Sequence, residues 1–219
     1  MEKVTLSTSG TLGDTVCTVC KLYKMSQNNN IQVNHYTIHR NWHNKIREIY
    51  SLLPSVHVSF VDVRDEEHPR VFSHFAEDDG IRVTSFPKFE LPKVKMPKRY
   101  TVLQERSGKD GECRSIPPMV CDRIINESVP PTVLLGTSTS AHGSSRDDVI
   151  DMTNETTLLE AFSIIRGAEE FHGFQGCLAF FALSQRIPTT IYCKTDADLL
   201  GVEVRLLSDW RLYLKDIVI

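Results

Sequence analysis

Between Val149 and Lys194 the chain reads, without a break, as strand, capped helix, glycine-bearing loop, helix and strand. That order specifies a nucleotide-binding crevice in a parallel sheet. Val149, Ile150 and Met152 make a short apolar strand that stops at Thr153-Asn154, and Thr156 followed by Glu160 puts a hydroxyl and a carboxylate at a helix start. Leu158, Leu159, Phe162, Ile165 and Ala168 then recur at helical spacing, so this helix lays one face on a sheet. Phe171-His172-Gly173-Phe174-Gln175-Gly176 reads as a loop, after which Leu178, Phe181, Ala182 and Leu183 begin a second helix that Pro188 ends. Two glycines opening a helix leave backbone N–H groups at the positive end of its dipole, where phosphate is the usual guest. Thr189–Cys193 is β-rich and supplies the strand after a right-handed crossover.

The N-terminus carries a second signal of the same kind. Val4-Thr-Leu-Ser is a short strand, Ser9-Gly-Thr-Leu-Gly13-Asp14 a tight glycine loop, and Val16, Cys17, Val19, Cys20, Leu22 and Tyr23 begin a helix of buried-type residues. Together with Thr132-Val-Leu-Leu-Gly136, Val149–Leu159, Ala161–Phe171, Gln175–Pro188 and Thr190-Ile-Tyr192, this opening resembles the ADP-heptose:lipopolysaccharide heptosyltransferase family. Those glycosyltransferases have the GT-B architecture, and the likeness covers roughly half the chain, in the family's order. Before the last helix the family usually writes Asp-Ser-Gly-Pro-x-His; the matching positions here hold Gln175, Gly176, Cys177 and Phe180.

The resemblance implies a minimal α/β fold of two small Rossmann-like, doubly wound domains facing a cleft. It implies sugar transfer from a nucleotide-diphosphate sugar to a glycan or other hydroxyl acceptor, with inversion, without a metal and with no further cofactor. Asp14 falls on the family's aspartate at the first helix and is the expected general base; an N-cap role is the competing use of that residue. Gly13, Gly136, His172, Gly173, Phe174, Gln175 and Gly176 are the expected nucleotide contacts. Arg106, Lys109 and Arg114 lie in a basic loop where fixed cations stabilise a departing diphosphate, and Arg114-Ser-Ile-Pro117 is similar to the family's basic stretch before Trp-Pro.

The intervening chain continues the alternation. Ile31–Ile38 reads as a strand, Lys45–Leu53 as a helix ended by Pro54, Val56–Val63 as a strand, and Gly80–Thr84 as a short strand in a charged passage. Leu91–Lys98, punctuated by Pro92 and Pro97, is the linker, giving an acceptor-side domain over 1–95 and a nucleotide-sugar domain over 96–219. Arg99–Glu105, a helix through Val120, Ile124 and Ile125, Pro131–Gly136 and Val149–Met152 build the second domain. Ser208–Lys215 is a short helix or strand, and the resemblance implies a last helix crossing back onto the N-terminal domain.

Other chemistries fit less well. Asp196-Ala-Asp198 spells a metal-gripping Asp-x-Asp, but in a charged stretch near the chain end where chance explains it better. His35, His39 and His43 are spaced by four, yet Ile31–Ile38 alternates like a strand, so they do not stack as helical ligands. Gly10 and Gly13 hint at a dinucleotide fingerprint without its third glycine, which leaves a dehydrogenase a weak alternative. Cys17-Thr-Val-Cys20 has redox spacing but lies in a core-type helix, and the cysteines read as apolar filler. A formal net charge of −3 gives no general attraction to nucleic acid or acidic membrane, and no stretch approaches a spanning helix or a signal sequence, so the expected location is cytoplasmic. The rival from another class is a catalytically silent nucleotide- or glycan-binding protein of the same fold.

Overall fold

The computed structural model describes residues 2–37, 40–61, 86–107, 114–137, 146–203, 206 and 208–218. The first sheet is parallel, in the order β1 (Glu2–Ser9), β2 (Asn29–Tyr36), β3 (Val56–Val61). Helices α1 (Leu12–Ser26) and α2 (His43–Tyr50) make its crossovers. Ile31, Val33 and Val56 turn inward while Lys3, Thr5, His57 and Ser59 are exposed, the alternation of a sheet with one wet face. The Gly80–Thr84 strand and His39 lie outside the described residues.

The second sheet holds six strands, all neighbours parallel: β11 (Leu214–Val218), β10 (Thr189–Tyr192), β9 (Glu170–Phe174), β4 (Thr101–Leu103), β7 (Thr132–Leu134) and β8 (Val149–Asp151). From β4 the chain steps outward through α3 (Pro118–Glu127) to β7 and β8. Helix α4 (Leu158–Gly167) then carries it back across β4 to β9, and α5 (Cys177–Ser184) and α6 (Asp196–Glu203) lead to β10 and β11. The order reverses between β4 and β9. In local numbering it is 3-2-1-4-5-6, the Rossmann arrangement, and ligands of such sheets bind at the carboxyl ends of the strands beside the reversal.

Both faces of this sheet are covered. Val102, Phe171 and Ile191 pack under α4 and α5, whereas Leu103, Leu134, Phe174 and Tyr192 pack under Cys121, Ile124 and Ile125 of α3. Helix α1 packs on α5 and α2 on α4, so four helices form a double layer between the sheets and one core runs through them. Phe162 and Phe181 stack face to face at 3.9 Å. Glu48 of α2 accepts the Leu159 N–H at 3.1 Å, supplying α4 with a cap from the other sheet's layer.

The proline-rich stretch between the sheets has no ladder of its own, so side chains take up its carbonyls. Tyr23 donates to Lys88 (3.2 Å), Arg166 to Phe89 (2.8 Å), Ser163 to Pro92 (2.6 Å) and Gln185 to Pro87 (3.1 Å). Phe89, 4% exposed, sits edge-on to Tyr23 and faces Phe181.

Three local expectations are corrected. Glu170–Phe174 is a strand, not a loop, which places His172, Gly173 and Phe174 inside the sheet. The cap of α4 is Thr157, whose hydroxyl accepts the Glu160 N–H while Glu160 accepts back from Thr157. The tail forms a 3-10 turn over Ser208–Tyr213 and then β11, with Trp210 buried against Phe180, so it completes the second sheet instead of crossing to the first.

Candidate functional site

The carboxyl edge of the second sheet gathers Arg106, Arg114, Gly136, Gln175 and Gly176 from the residues expected to hold a nucleotide. Gln104 follows β4 and donates its N–H to His172 at 2.8 Å; Gln175 and Gly176 follow β9 and open α5. Gly136, after β7, lies against this edge: a Cβ there would stand 3.4 Å from the Arg106 carbonyl and 4.0 Å from the Gln104 side chain. Arg106, exposed, and Arg114 lie on β5 (Arg106–Ser107) and β6 (Arg114–Ser115), a small antiparallel ribbon with Arg106 opposite Ser115 and Ser107 opposite Arg114. Lys109 lies outside the described residues.

Two expected residues are held elsewhere. His172 faces Glu170, its Nε2 3.6 Å from the carboxylate, and neither ring nitrogen has a hydrogen-bond partner among the described residues. A bulge between β10 and β11 at Lys215 lets that side chain reach Glu170 at 2.6 Å. His172 first and Lys215 after it hold the Glu170 carboxyl well below the usual carboxylate range, against the opposing pull of burial. Phe174 is 4% exposed, beneath α3 with Tyr192. A groove of about 660 Å³ lined by Glu127, Glu170, Pro188, Tyr213 and Lys215 lies at the opposite, amino-terminal edge of the strands, away from the reversal.

The first sheet contributes one loop. Gly10, with φ +122°, has a conformation that other residues rarely adopt, and a Cβ on it would lie within 2.7 Å of the Asp14 carboxyl carbon. Asp14 is 2% exposed, and its Oδ2 accepts both the Thr11 N–H (2.7 Å) and the Thr11 hydroxyl (2.9 Å). The aspartate therefore completes a capping box at the start of α1. Gly13 brings that start onto α5, since its Cβ would stand 3.3 Å from the Phe180 ring and 3.5 Å from the Gly176 carbonyl carbon. Two helix N-termini, one from each sheet, thus meet at the reversal, and their dipoles add a positive potential there.

Lys45 of α2 is a basic group that no sequence motif marked. Its charge reaches the Cys177 thiol at the start of α5, although burial, the larger influence, pushes that thiol up to about 11. Cys177 is therefore a thiol at neutral pH. Burial, and after it the neighbouring Cys17, raises Cys20, and Cys121 is pushed up to about 12, first by burial and then by Glu105; the described cysteines are core filler. Asp196 and Asp198 lie in the first turn of α6, where Asp198 accepts the Lys194 and Thr195 N–H groups at 3.1 and 3.2 Å. Among the described residues no cluster of potential metal ligands forms.

No protein-family model matches the sequence, and no curated protein matches it. Solved structures do match in fold. A glycosyl transferase family 9 protein from Veillonella parvula superposes with a TM-score of 0.59 at 11% identity, over 87% of this chain and 80% of that one. The E. coli heptosyltransferase WaaC, solved with ADP, gives 0.53 at 10% identity, over 91% and 90%. The iron-containing dodecameric glycosyltransferase TibC from enterotoxigenic E. coli gives 0.51 at 14% identity over 87% of this chain, which spans 57% of TibC. At these identities the likeness shows the fold: α/β, as in GT-B glycosyltransferases. The resemblance read from the residues meets these structures in that fold. No helix among the described residues is long and apolar enough to cross a membrane.

Proposed function

We propose that the chain transfers a sugar from a nucleotide-diphosphate sugar to a hydroxyl acceptor in one inverting step. One observation carries this reading: the glycine-opened start of α5 at the sheet reversal lies against the start of α1, with its aspartate. The first arrangement suits a diphosphate; the second suits a proton acceptor facing it. Residues 1–95 would form the acceptor side and 96–219 the donor side. As the acceptor oxygen bonds to the anomeric carbon, the bond to the diphosphate oxygen breaks, the acceptor proton passes to Asp14, and the nucleoside diphosphate leaves with the electron pair. Arg106, Arg114 and the two helix N-termini support the charge on the leaving group, so the step needs no metal.

A second reading is favoured by the burial of Asp14 and the engagement of its Oδ2 with Thr11. A capping aspartate alone would leave a nucleotide-binding protein that transfers nothing. A thermal-shift screen of nucleoside diphosphates, with and without chelator, followed by transfer assays with the nucleotide sugar of any binding base, separates the two. Binding with turnover supports the transferase. Binding without turnover supports the silent nucleotide-binding protein, and no binding overturns the transferase and leaves the silent protein only as a glycan binder.

A further inference from the structure

His35 lies in the middle of a parallel sheet and is 0% exposed. A buried imidazole costs free energy unless both nitrogens are bonded, and here both are. Nδ1 lies 3.0 Å from the Thr8 hydroxyl and 3.2 Å from the Tyr50 hydroxyl, which are themselves 3.0 Å apart. Nε2 lies 3.3 Å from the Gly10 carbonyl. A carbonyl only accepts, so the proton sits on Nε2 and donates to Gly10. Nδ1 is then an acceptor, and the two hydroxyls satisfy it in series, one donating to the other and the second donating to the ring. Thr8 stands opposite His35 in the β1–β2 register, and Tyr50 ends α2, so three elements fix the ring.

The carbonyl that His35 grips belongs to the same peptide group as the Thr11 N–H, which donates to Asp14 at 2.7 Å. A peptide group is planar, so holding its oxygen orients its N–H, and a bond accepted at the oxygen strengthens the bond given by the nitrogen. We propose that His35 is a positioning residue for Asp14, acting through the Gly10–Thr11 peptide group. The chain runs Tyr50 and Thr8, His35, the peptide, then the carboxylate. This inference rests on the reading of Asp14 as general base, and it adds a buried histidine that never touches substrate. Its counterpart in hydrolytic triads holds a base directly; here a backbone amide stands between.

The test compares His35→Phe, which removes the donor, with His35→Gln, whose amide N–H replaces Nε2–H. Val33→Ala, a buried change two residues away on β2, serves as the control for destabilisation. Against a nucleotide sugar chosen by the binding screen, His35→Phe is expected to lower kcat on the order of 10- to 100-fold with donor KM within about twofold. His35→Gln should recover most of the rate, and Val33→Ala should lower the melting temperature without changing kcat. Carbon and amide NMR supply a readout apart from turnover: the Asp14 carboxyl titration and the Thr11 amide shift should move in His35→Phe and return in His35→Gln. An unchanged Thr11 amide and Asp14 titration in His35→Phe, or an equal rate loss in Val33→Ala, overturns the proposal. If the parent transfers no sugar, the transferase reading fails while the NMR comparison still decides whether His35 holds Asp14.

Discussion

The second sheet has six strands, a reversal of order and helices on both faces; the first has three described strands that run one way, with Lys3, Thr5, His57 and Ser59 exposed on its outer face. Only a sheet whose order reverses leaves a gap at its carboxyl edge, because the crossovers on its two sides leave in opposite directions. The first sheet has no such gap among the described residues, and what it brings to the site is the turn from Ser9 to Asp14. Among the described residues, the sheet without a reversal contributes a loop, and the one with a reversal contributes a crevice.

That division of labour is tested most severely at Asp14. Asp14→Asn keeps an acceptor for Thr11 and loses the proton acceptor, so transfer should fall about 10²- to 10⁴-fold in steady-state assays while nucleotide binding and the melting temperature stay near those of the parent. A rate near the parent's would reduce the first sheet to scaffolding. Next in size is Phe181→Ala. Its ring stacks on Phe162 and faces Phe89, and deleting it should cost about 3–5 kcal/mol in urea denaturation, with one transition, because the sheets share a core. Two separated transitions would show that each sheet melts on its own.

A smaller effect belongs to the second sheet alone. Glu170→Gln removes a carboxylate whose pKa the fold depresses, so its contribution is full above the unfolded value of about 4.3 and is lost as the pH falls through the lower folded value. The variant should be less stable by about 1–3 kcal/mol at pH 7, with the difference shrinking below about pH 4, read by denaturant melts at several pH values. Smallest is Glu48→Ala, which uncaps α4 from the other layer and should cost about 1 kcal/mol with no change in nucleotide binding.

Alternation of apolar strands and helical spacing made the order of elements legible, from Ile31 and Val33 in β2 to Leu158, Phe162 and Ile165 in α4. The stretch around Gly173 was not. Two glycines three residues apart, Gly173 and Gly176, read as a loop, but a central parallel strand buried on both faces need not alternate. Here Gly173 is required because a Cβ would lie 2.7 Å from the Phe171 ring and 3.0 Å from the Gln104 Cβ. Gly10, Gly13 and Asp14 were legible as the turn that opens α1, because local turn chemistry marks them. Lys45 was not, since its relation to Cys177 depends on how the α1–α2 layer packs on the α4–α5 layer. His35 was read only within a spaced triple of histidines; its partners Thr8 and Tyr50 lie 27 and 15 residues away and meet it only once the strand order is known.

The tied stretch from Pro87 to Pro92 makes the junction of the sheets a seam and not a hinge. Swinging them apart like a clamshell would pull Phe89 from Tyr23 and Phe181 and detach Glu48 from α4. Wetting a single aromatic of that size costs about 2 kcal/mol, and the others would have to follow in the same movement. A ligand of the proposed crevice would therefore have to pass the short turns around Gly136 and Gly176 without the sheets parting. Access to the crevice then follows the motion of loops, on the order of nanoseconds to microseconds, and not the slower beat of domains closing on each other.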